Sequence, residues 1–377
     1  MDIERALYDI ILGKRKVNKV QVIVGPRRVG KTVLLQKIAN SIKEKVLLLN
    51  GEDITTSELL ERRSIENYRR LLNDYQVLMI DEAQAIPEIG KILKLIVDEI
   101  KGIEIFITGS SAFDLKNRLG EPLTGRQFTY HLFPLAQMEL SHHENLIETK
   151  ARLEERLIFG SYPELLDYPA EKDKVAYLNE VVSSYLLKDI LTLDGLRNTG
   201  KLHDLLKLIA LQLGSEVSMD ELGKQLSMSK NTVESYLDLL TKVFVIYKAP
   251  GFSRNLRKEV RKSSKWYFTD NGIRNILISN TNPLKYRNDQ GDLWENYLLG
   301  ERVKYQAYTR MLSNNYFWRT YDQQEIDWIE DRNGTLNAYE IKWKTGKKVK
   351  PPIAWQKGYP DATFKVIDPE NYLDWIM

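Results

Sequence analysis

Gly25-Pro26-Arg27-Arg28-Val29-Gly30-Lys31-Thr32 decides how the first third of the chain is read. It satisfies G-x-x-x-x-G-K-[ST] at every fixed position. An apolar run, Val20-Gln21-Val22-Ile23-Val24, precedes it. A helical spacing of Val33, Leu34, Ile38, Ala39 and Ile42 follows it. Strand, loop, helix is the context in which this motif carries meaning. The glycines let successive N–H groups turn inward toward phosphate oxygens, and the first helical turn adds its own unpaired N–H groups. Lys31 is placed to reach β- and γ-phosphates and Thr32 to ligate Mg²⁺. Residues 25–33, from Gly25 to Val33, form the expected phosphate-contacting stretch.

Working outward, Val77-Leu78-Met79-Ile80 reads as a strand buried on both faces, and it ends in Asp81-Glu82. Asp81 is placed to complete a Mg²⁺ shell and Glu82 to polarise an attacking water. An acidic turn after a strand is the plainer alternative. Ile103 to Phe106 opens a further strand that closes on Thr108, Ser110 and Ser111. Thr108 or Ser110 would lie between the phosphate loop and the carboxylate strand, within reach of a γ-phosphate or its water. Ile3, Ala6, Leu7, Ile10 and Ile11 predict an amphipathic helix, Val46 to Asn50 a second strand, and Thr56 to Asn73 a polar helical stretch. Alternating strands and helices across residues 18–135 predict an α/β class.

Composition bounds the rest. The 377 residues are 43% hydrophobic and 28% charged, as in globular chains with two or three domains. A formal net charge of +3 does not itself argue for nucleic acid or a membrane. No apolar run is long enough to span a bilayer, and the N-terminal residues lack a signal-peptide core, so a cytoplasmic location is expected. Cysteine is absent, which excludes disulfides, thiolate zinc sites and thiol catalysis. Four histidines without an H-E-x-x-H pattern argue against a zinc hydrolase.

The phosphate loop, Ile80-Asp81-Glu82-Ala83-Gln84 and Thr108-Gly109-Ser110-Ser111 together resemble the AAA-type P-loop ATPases that carry an additional catalytic glutamate. They are most similar to a prokaryotic family in which such an ATPase is joined to a winged helix and a nuclease-like domain. Leu123-Thr124-Gly125-Arg126, Leu132-Phe133-Pro134-Leu135 and Gly160-Ser161-Tyr162-Pro163-Glu164 extend the likeness over nearly the whole chain. Ser161 stands where the family has a second glycine. The resemblance implies ATP and Mg²⁺ as ligands, with Lys31 and Glu82 catalytic. It also implies an arginine that stabilises transition-state charge, with Arg118 and Arg126 as candidates in cis or from a neighbouring copy. A salt-bridged or solvated arginine is the alternative for each.

Four segments are expected: an ATPase core (residues 1–140), a helical lid (141–199), a winged helix (200–285) and a nuclease-like domain (286–377). In the third, Ser218 and Glu221 form a capping-box pattern, Lys230 to Val243 reads as a helix, and Phe244 to Tyr247 pairs with Lys265 to Phe268. Lys230 and Asn231 at the helix start, with Arg254, Arg257, Lys258, Arg261, Lys262 and Lys265 along the wing, are candidate phosphate contacts on DNA or RNA. A protein-docking role stays open beside that one.

In the fourth segment, Glu340 and Lys342 are two apart on a strand and share a face. Asp327 meets them from the preceding strand and Glu295 from a helix. Such a cluster could bind Mg²⁺ for phosphodiester cleavage. It resembles the PD-(D/E)XK nuclease core, with Asp327, Glu340 and Lys342 matching its signature. An inactive nuclease-like fold and a plain surface hairpin are the alternatives. Three functions follow: ATP hydrolysis coupled to nucleic acid, an ATP-driven switch docking a protein, or a nucleotide-gated nuclease. Each is compatible with homo-oligomers.

Overall fold

The computed structural model describes residues 3–110, 123–186, 199–253, 264–346 and 349–377. They form two compact units, Asp2–Pro134 with Lys242–Phe244, and Leu135–Thr241 with Val245–Met377. Among the described residues no helix is long and apolar enough to cross a membrane.

The first unit is a parallel sheet of β1 (Val20–Val24), β2 (Val46–Asn50), β3 (Val77–Asp81), β4 (Glu104–Gly109) and β5 (Gln127–His131), in the order β2-β3-β4-β1-β5. β1 is buried along its whole length, and so is β3 up to Asp81, as expected of central strands covered on both faces. The core gathers Val22, Leu78, Ile80, Ile92, Leu93, Ile96 and Ile105. Helix α1 (Ala6–Leu12) buries Leu7 and Ile11. Helix α2 (Lys31–Ser41) buries Leu34, Leu35 and Ile38. Val33 does not join that face: it is 61% exposed, because the helix turns Leu35 inward in its place. The polar stretch after β2 is not one helix but two, α3 (Ile54–Glu61) and α4 (Ile65–Leu72), broken at Arg62-Arg63-Ser64. Helix α5 (Ile89–Glu99) leads into β4.

In the second unit, helices Thr199–Leu211, Met219–Leu226 and Lys230–Lys242 precede an antiparallel hairpin of β6 (Ile246–Pro250) and β7 (Ser264–Phe268). Gly200 lies inside the first of these helices. Ser218 caps the second helix by accepting the Glu221 N–H at 3.3 Å. The hairpin begins at Ile246, not Phe244, whose φ of 63° interrupts extended backbone.

A mixed sheet follows in the order β11-β10-β9-β8, from β8 (Asn314–Arg319), β9 (Glu325–Arg332), β10 (Thr335–Ile341) and β11 (Thr363–Ile367). β8, β9 and β10 are antiparallel neighbours, and β10 runs parallel to β11. Asn333 and Gly334 turn β9 into β10 with φ of 52° and 83°, the left-handed pair that a tight hairpin needs. Tyr339 and Ile341 are buried, so this is no surface hairpin with one wet face. Phe252, just after β6, packs on Tyr316, Trp355 and Tyr359.

The Gly160-Ser161 turn explains its own substitution. The left-handed φ of 77° falls on Gly160, where a Cβ would stand 2.0 Å from Asp270 Oδ1. Ser161 needs no such freedom. Its N–H donates to Asp270 Oδ2 at 2.7 Å, and its side chain is tolerated.

Candidate nucleotide site

The end of β1 and the start of α2 hold the phosphate loop. Gly25 passes so close to β5 that a Cβ would meet the Leu132 carbonyl oxygen at 2.1 Å. Gly30 takes φ 92°, and Arg28 takes φ 64° in the same left-handed region. Lys31 is 5% exposed, and its ammonium donates to the carbonyls of Gly25 at 3.1 Å and Pro26 at 2.9 Å. The lysine thus lies along the loop's own backbone. Pro26 and Val29 are buried, whereas Arg28 and Thr32 face solvent.

One contributor has no sequence signature. Arg5, just before α1, donates to the Val29 carbonyl at 2.6 Å and to the Phe133 carbonyl at 2.6 Å. A buried guanidinium thereby ties the middle of the loop to the segment after β5. An isolated arginine ahead of a helix gives no pattern from which this could be read.

The Asp81 carboxylate at the end of β3 meets the loop directly. The Thr32 hydroxyl donates to Asp81 Oδ2 at 2.7 Å, and the Thr108 hydroxyl donates to Asp81 Oδ1. The Glu82 N–H donates to Thr108 Oγ1 at 3.0 Å. Thr108 is fully buried and bonded to the Asp81 carboxylate and the Glu82 N–H, which corrects its expected contact with phosphate or water. It positions Asp81 rather than touching a ligand. Glu82 adopts a left-handed φ of 47°, and the Gln84 amide donates to Glu82 Oε2 and, at 3.3 Å, to Ser110 Oγ. Gln84 is the second residue that the sequence reading left without a role. Thr32 Oγ1 and Asp81 Oδ2 are hard oxygen donors side by side, a set that suits Mg²⁺.

Arg126 is elsewhere. Its carbonyl accepts the N–H of Val20 at 2.9 Å, so it stands beside the first residue of β1. The phosphate loop follows the last residue of β1, roughly 16 Å away at about 3.3 Å per residue. Its guanidinium pairs with Asp98 of α5 at 2.8 Å. Arg126 therefore cannot serve this chain's own phosphate site. Arg118 lies outside the described residues.

The second unit holds the other expected constellation. Lys230 and Asn231 are exposed at the start of their helix, but Lys230 pairs with Asp220 at 3.4 Å, and Glu234 and Asp238 share the exposed face. Arg254, Arg257, Lys258, Arg261 and Lys262 lie outside the described residues. Lys265 is no wing cation facing solvent: it is 2% exposed and enclosed by carboxylates.

Glu295, Asp327, Glu340 and Lys342 do come together. Lys342 Nζ lies 2.6 Å from Glu340 and 3.8 Å from Asp327. Asp327 Oδ2 also accepts the Ile341 N–H at 2.7 Å, and Glu295 Oε1 accepts the Tyr267 hydroxyl at 2.6 Å. Burial pushes the Glu295 carboxyl up to about 8, against the pull of the Lys265 ammonium. Burial likewise raises Asp327 and Glu340. Burial alone would lower Lys265, but Glu295, Glu325 and Asp327 outweigh it and hold the ammonium raised. Among the described residues no three His, Cys, Asp or Glu side chains gather in a way that could hold a metal ion. With Lys265 and Lys342 packed among them, these carboxylates do not fit the metal that a nuclease-like centre would require.

Known proteins resemble the chain in sections. Residues 17–141 match the AAA domain, residues 150–284 a domain of unknown function (DUF8612), and residues 290–365 another (DUF4143). An uncharacterized protein of Mycobacterium tuberculosis is 25% identical over 327 residues, spanning 86% of this chain and 70% of that protein. One from Haemophilus influenzae is 27% identical over 282 residues, spanning 69% of each. Among solved structures, a mutant of Thermotoga maritima RuvB aligns at a TM-score of 0.34 with 17% identity, over 66% of this chain and 91% of that one. The AAA match, the parallel sheet and the loop geometry agree: the first unit has an α/β P-loop NTPase fold.

Proposed function

We propose that the chain hydrolyses ATP with Mg²⁺. One observation carries this reading: Thr32 Oγ1 and Asp81 Oδ2 lie 2.7 Å apart at the phosphate loop, with Glu82 next in sequence and held by Gln84. Bound Mg²⁺ would neutralise phosphate charge there, held by Thr32 and Asp81. Lys31 exchanges the carbonyls of Gly25 and Pro26 for phosphate oxygens. Arg27, Gly30 and Val33 frame the same phosphates. Glu82 orients the attacking water and takes its proton. The carboxylate pair favours hydrolysis over phosphoryl transfer to a small molecule. Steady-state ATP hydrolysis and nucleotide binding test this reading together. K31A weakens nucleotide binding and abolishes turnover. E82Q leaves binding largely intact and lowers turnover by about 10²-fold or more. Turnover at the wild-type rate in E82Q removes Glu82 from its role.

Hydrolysis coupled to DNA or RNA through a winged helix is the resemblance's own reading of the second unit. A second reading is favoured by charge. The exposed face of helix Lys230–Lys242 carries Glu234 and Asp238 beside Lys230, which suits a protein partner better than a phosphate backbone. Stimulation of ATP turnover by DNA or RNA, with salt-sensitive binding lost on charge reversal of Arg257, Arg261 and Lys262, supports the nucleic-acid reading. Turnover indifferent to both supports the protein-facing switch.

A further inference from the structure

The carboxylates of the second unit already have a cation among them. Lys265 Nζ contacts Glu325 directly, lies 3.8 Å from Glu295 Oε1 and sits 5.5 Å over the ring of Phe317. Its placement is built into the backbone. Lys265 bridges to Glu216 on one side, while at the far end of β6 Gly251 bridges to Phe317 of β8, and the Phe252 N–H donates to the Phe317 carbonyl at 2.7 Å. The β6–β7 hairpin is thus joined by hydrogen bonds to the edge of the mixed sheet, and the lysine is delivered into the cluster. Arg319 Nε adds a third cation 3.7 Å from Glu325. Glu216, Glu295, Glu325, Asp327 and Glu340 face Lys265, Lys342 and Arg319, so the three cations offset most of the carboxylate charge.

We infer that Lys265 is a tethered cation standing in for the metal of a nuclease-like centre, and that the cluster takes no divalent cation while Lys265 is present. A divalent ion entering between Glu295 and Asp327 would face two ammonium groups at short range in a water-poor site, where repulsion is poorly screened. It would also leave a buried ammonium without its counter-ions. The carboxylates and lysine that match a nuclease signature serve here as internal ion pairs that fix the hairpin to the sheet. This inference does not depend on ATP hydrolysis.

Mn²⁺ titration of the full chain, followed by electron paramagnetic resonance, tests it. All proteins carry D81N, which silences the Thr32–Asp81 pair. The parent is expected to show no saturable Mn²⁺ binding that a further D327N removes. K265Q, similar in size but uncharged, gains about one Mn²⁺ per chain. That site disappears in K265Q/D327N, and K265R, which keeps the charge, does not acquire it. Saturable Mn²⁺ binding in the parent that D327N or E340Q abolishes overturns the inference. So does a folded K265Q, judged by its circular dichroism and melting transition, that binds no Mn²⁺. Should K265Q not fold, the parent against its D327N derivative decides alone.

Discussion

Two carboxylate sites in this chain use similar side chains and end in opposite electrostatic states. At the end of β3, Asp81 and Glu82 receive hydrogen bonds from Thr32, Thr108 and Gln84, all neutral donors. Their negative charge is oriented but not cancelled. Beside β9 and β10, Asp327, Glu340 and Glu295 meet two lysines, with Arg319 on the adjoining Glu325. Their charge is largely offset within the fold, by those cations and by the proton that burial keeps on Glu295. Carboxylates at strand ends are thus no sufficient sign of a metal site. The charge of the groups packed against them decides whether a cation must come from solution.

The contrast can be broken first through stability. Lys265 is buried among carboxylates, so K265M removes the charge that offsets them and costs about 3 kcal/mol of unfolding free energy in the second unit. D81N, which changes a site of neutral hydrogen bonds, costs about 1 kcal/mol in the first. Urea unfolding of both variants checks the pair, and equal losses would erase the distinction. Next in size is Q84A. Freed from the Gln84 amide, Glu82 loses its fixed orientation, and ATP turnover falls about tenfold with nucleotide affinity unchanged. A matching loss of affinity would place Gln84 in binding instead.

A smaller effect follows from protonation. The folded-state value of Glu295 is raised to about 8, so the native state keeps a proton that the unfolded chain releases. Its contribution is fully present below the ordinary carboxylate range and is lost as pH rises through about 8. The melting temperature of the second unit should therefore decline over that window, and E295Q should flatten the decline. An E295Q profile parallel to wild type would refute the assignment. The smallest effect is expected at Arg126. Paired with Asp98 at the far edge of the sheet, it changes turnover by less than about twofold on replacement by alanine in the isolated chain. A large loss that depends on protein concentration would instead reveal an arginine supplied to a neighbouring copy.

Sequence carried the first site well, because that site is mostly local. Gly25 to Thr32 is one continuous motif, and Asp81-Glu82 closes an apolar run whose length marks a central strand. What it could not carry were contacts between distant residues without a pattern. Arg5 reaches Val29 and Phe133, and Thr108 reaches back to Asp81, by proximity that only the folded sheet creates. Arg126 was misplaced for a related reason: a motif fixes its order in the chain but not the edge of the sheet on which it falls. Lys265 was misread because it adjoins a basic run, Arg254 to Lys262, and charge patterning does not report burial. The signal available was its strand, Ser264–Phe268, where Trp266 and Phe268 alternate with Lys265 and Tyr267 in a strand buried on both faces.

The central contrast is tested most directly by anomalous diffraction from crystals of the full chain grown with Mn²⁺ and a non-hydrolysable ATP analogue. The expected map has a Mn²⁺ peak beside Thr32 and Asp81 and none among Glu295, Asp327 and Glu340. A peak at the second cluster with Lys265 intact, or none at the first with the analogue bound, would contradict it.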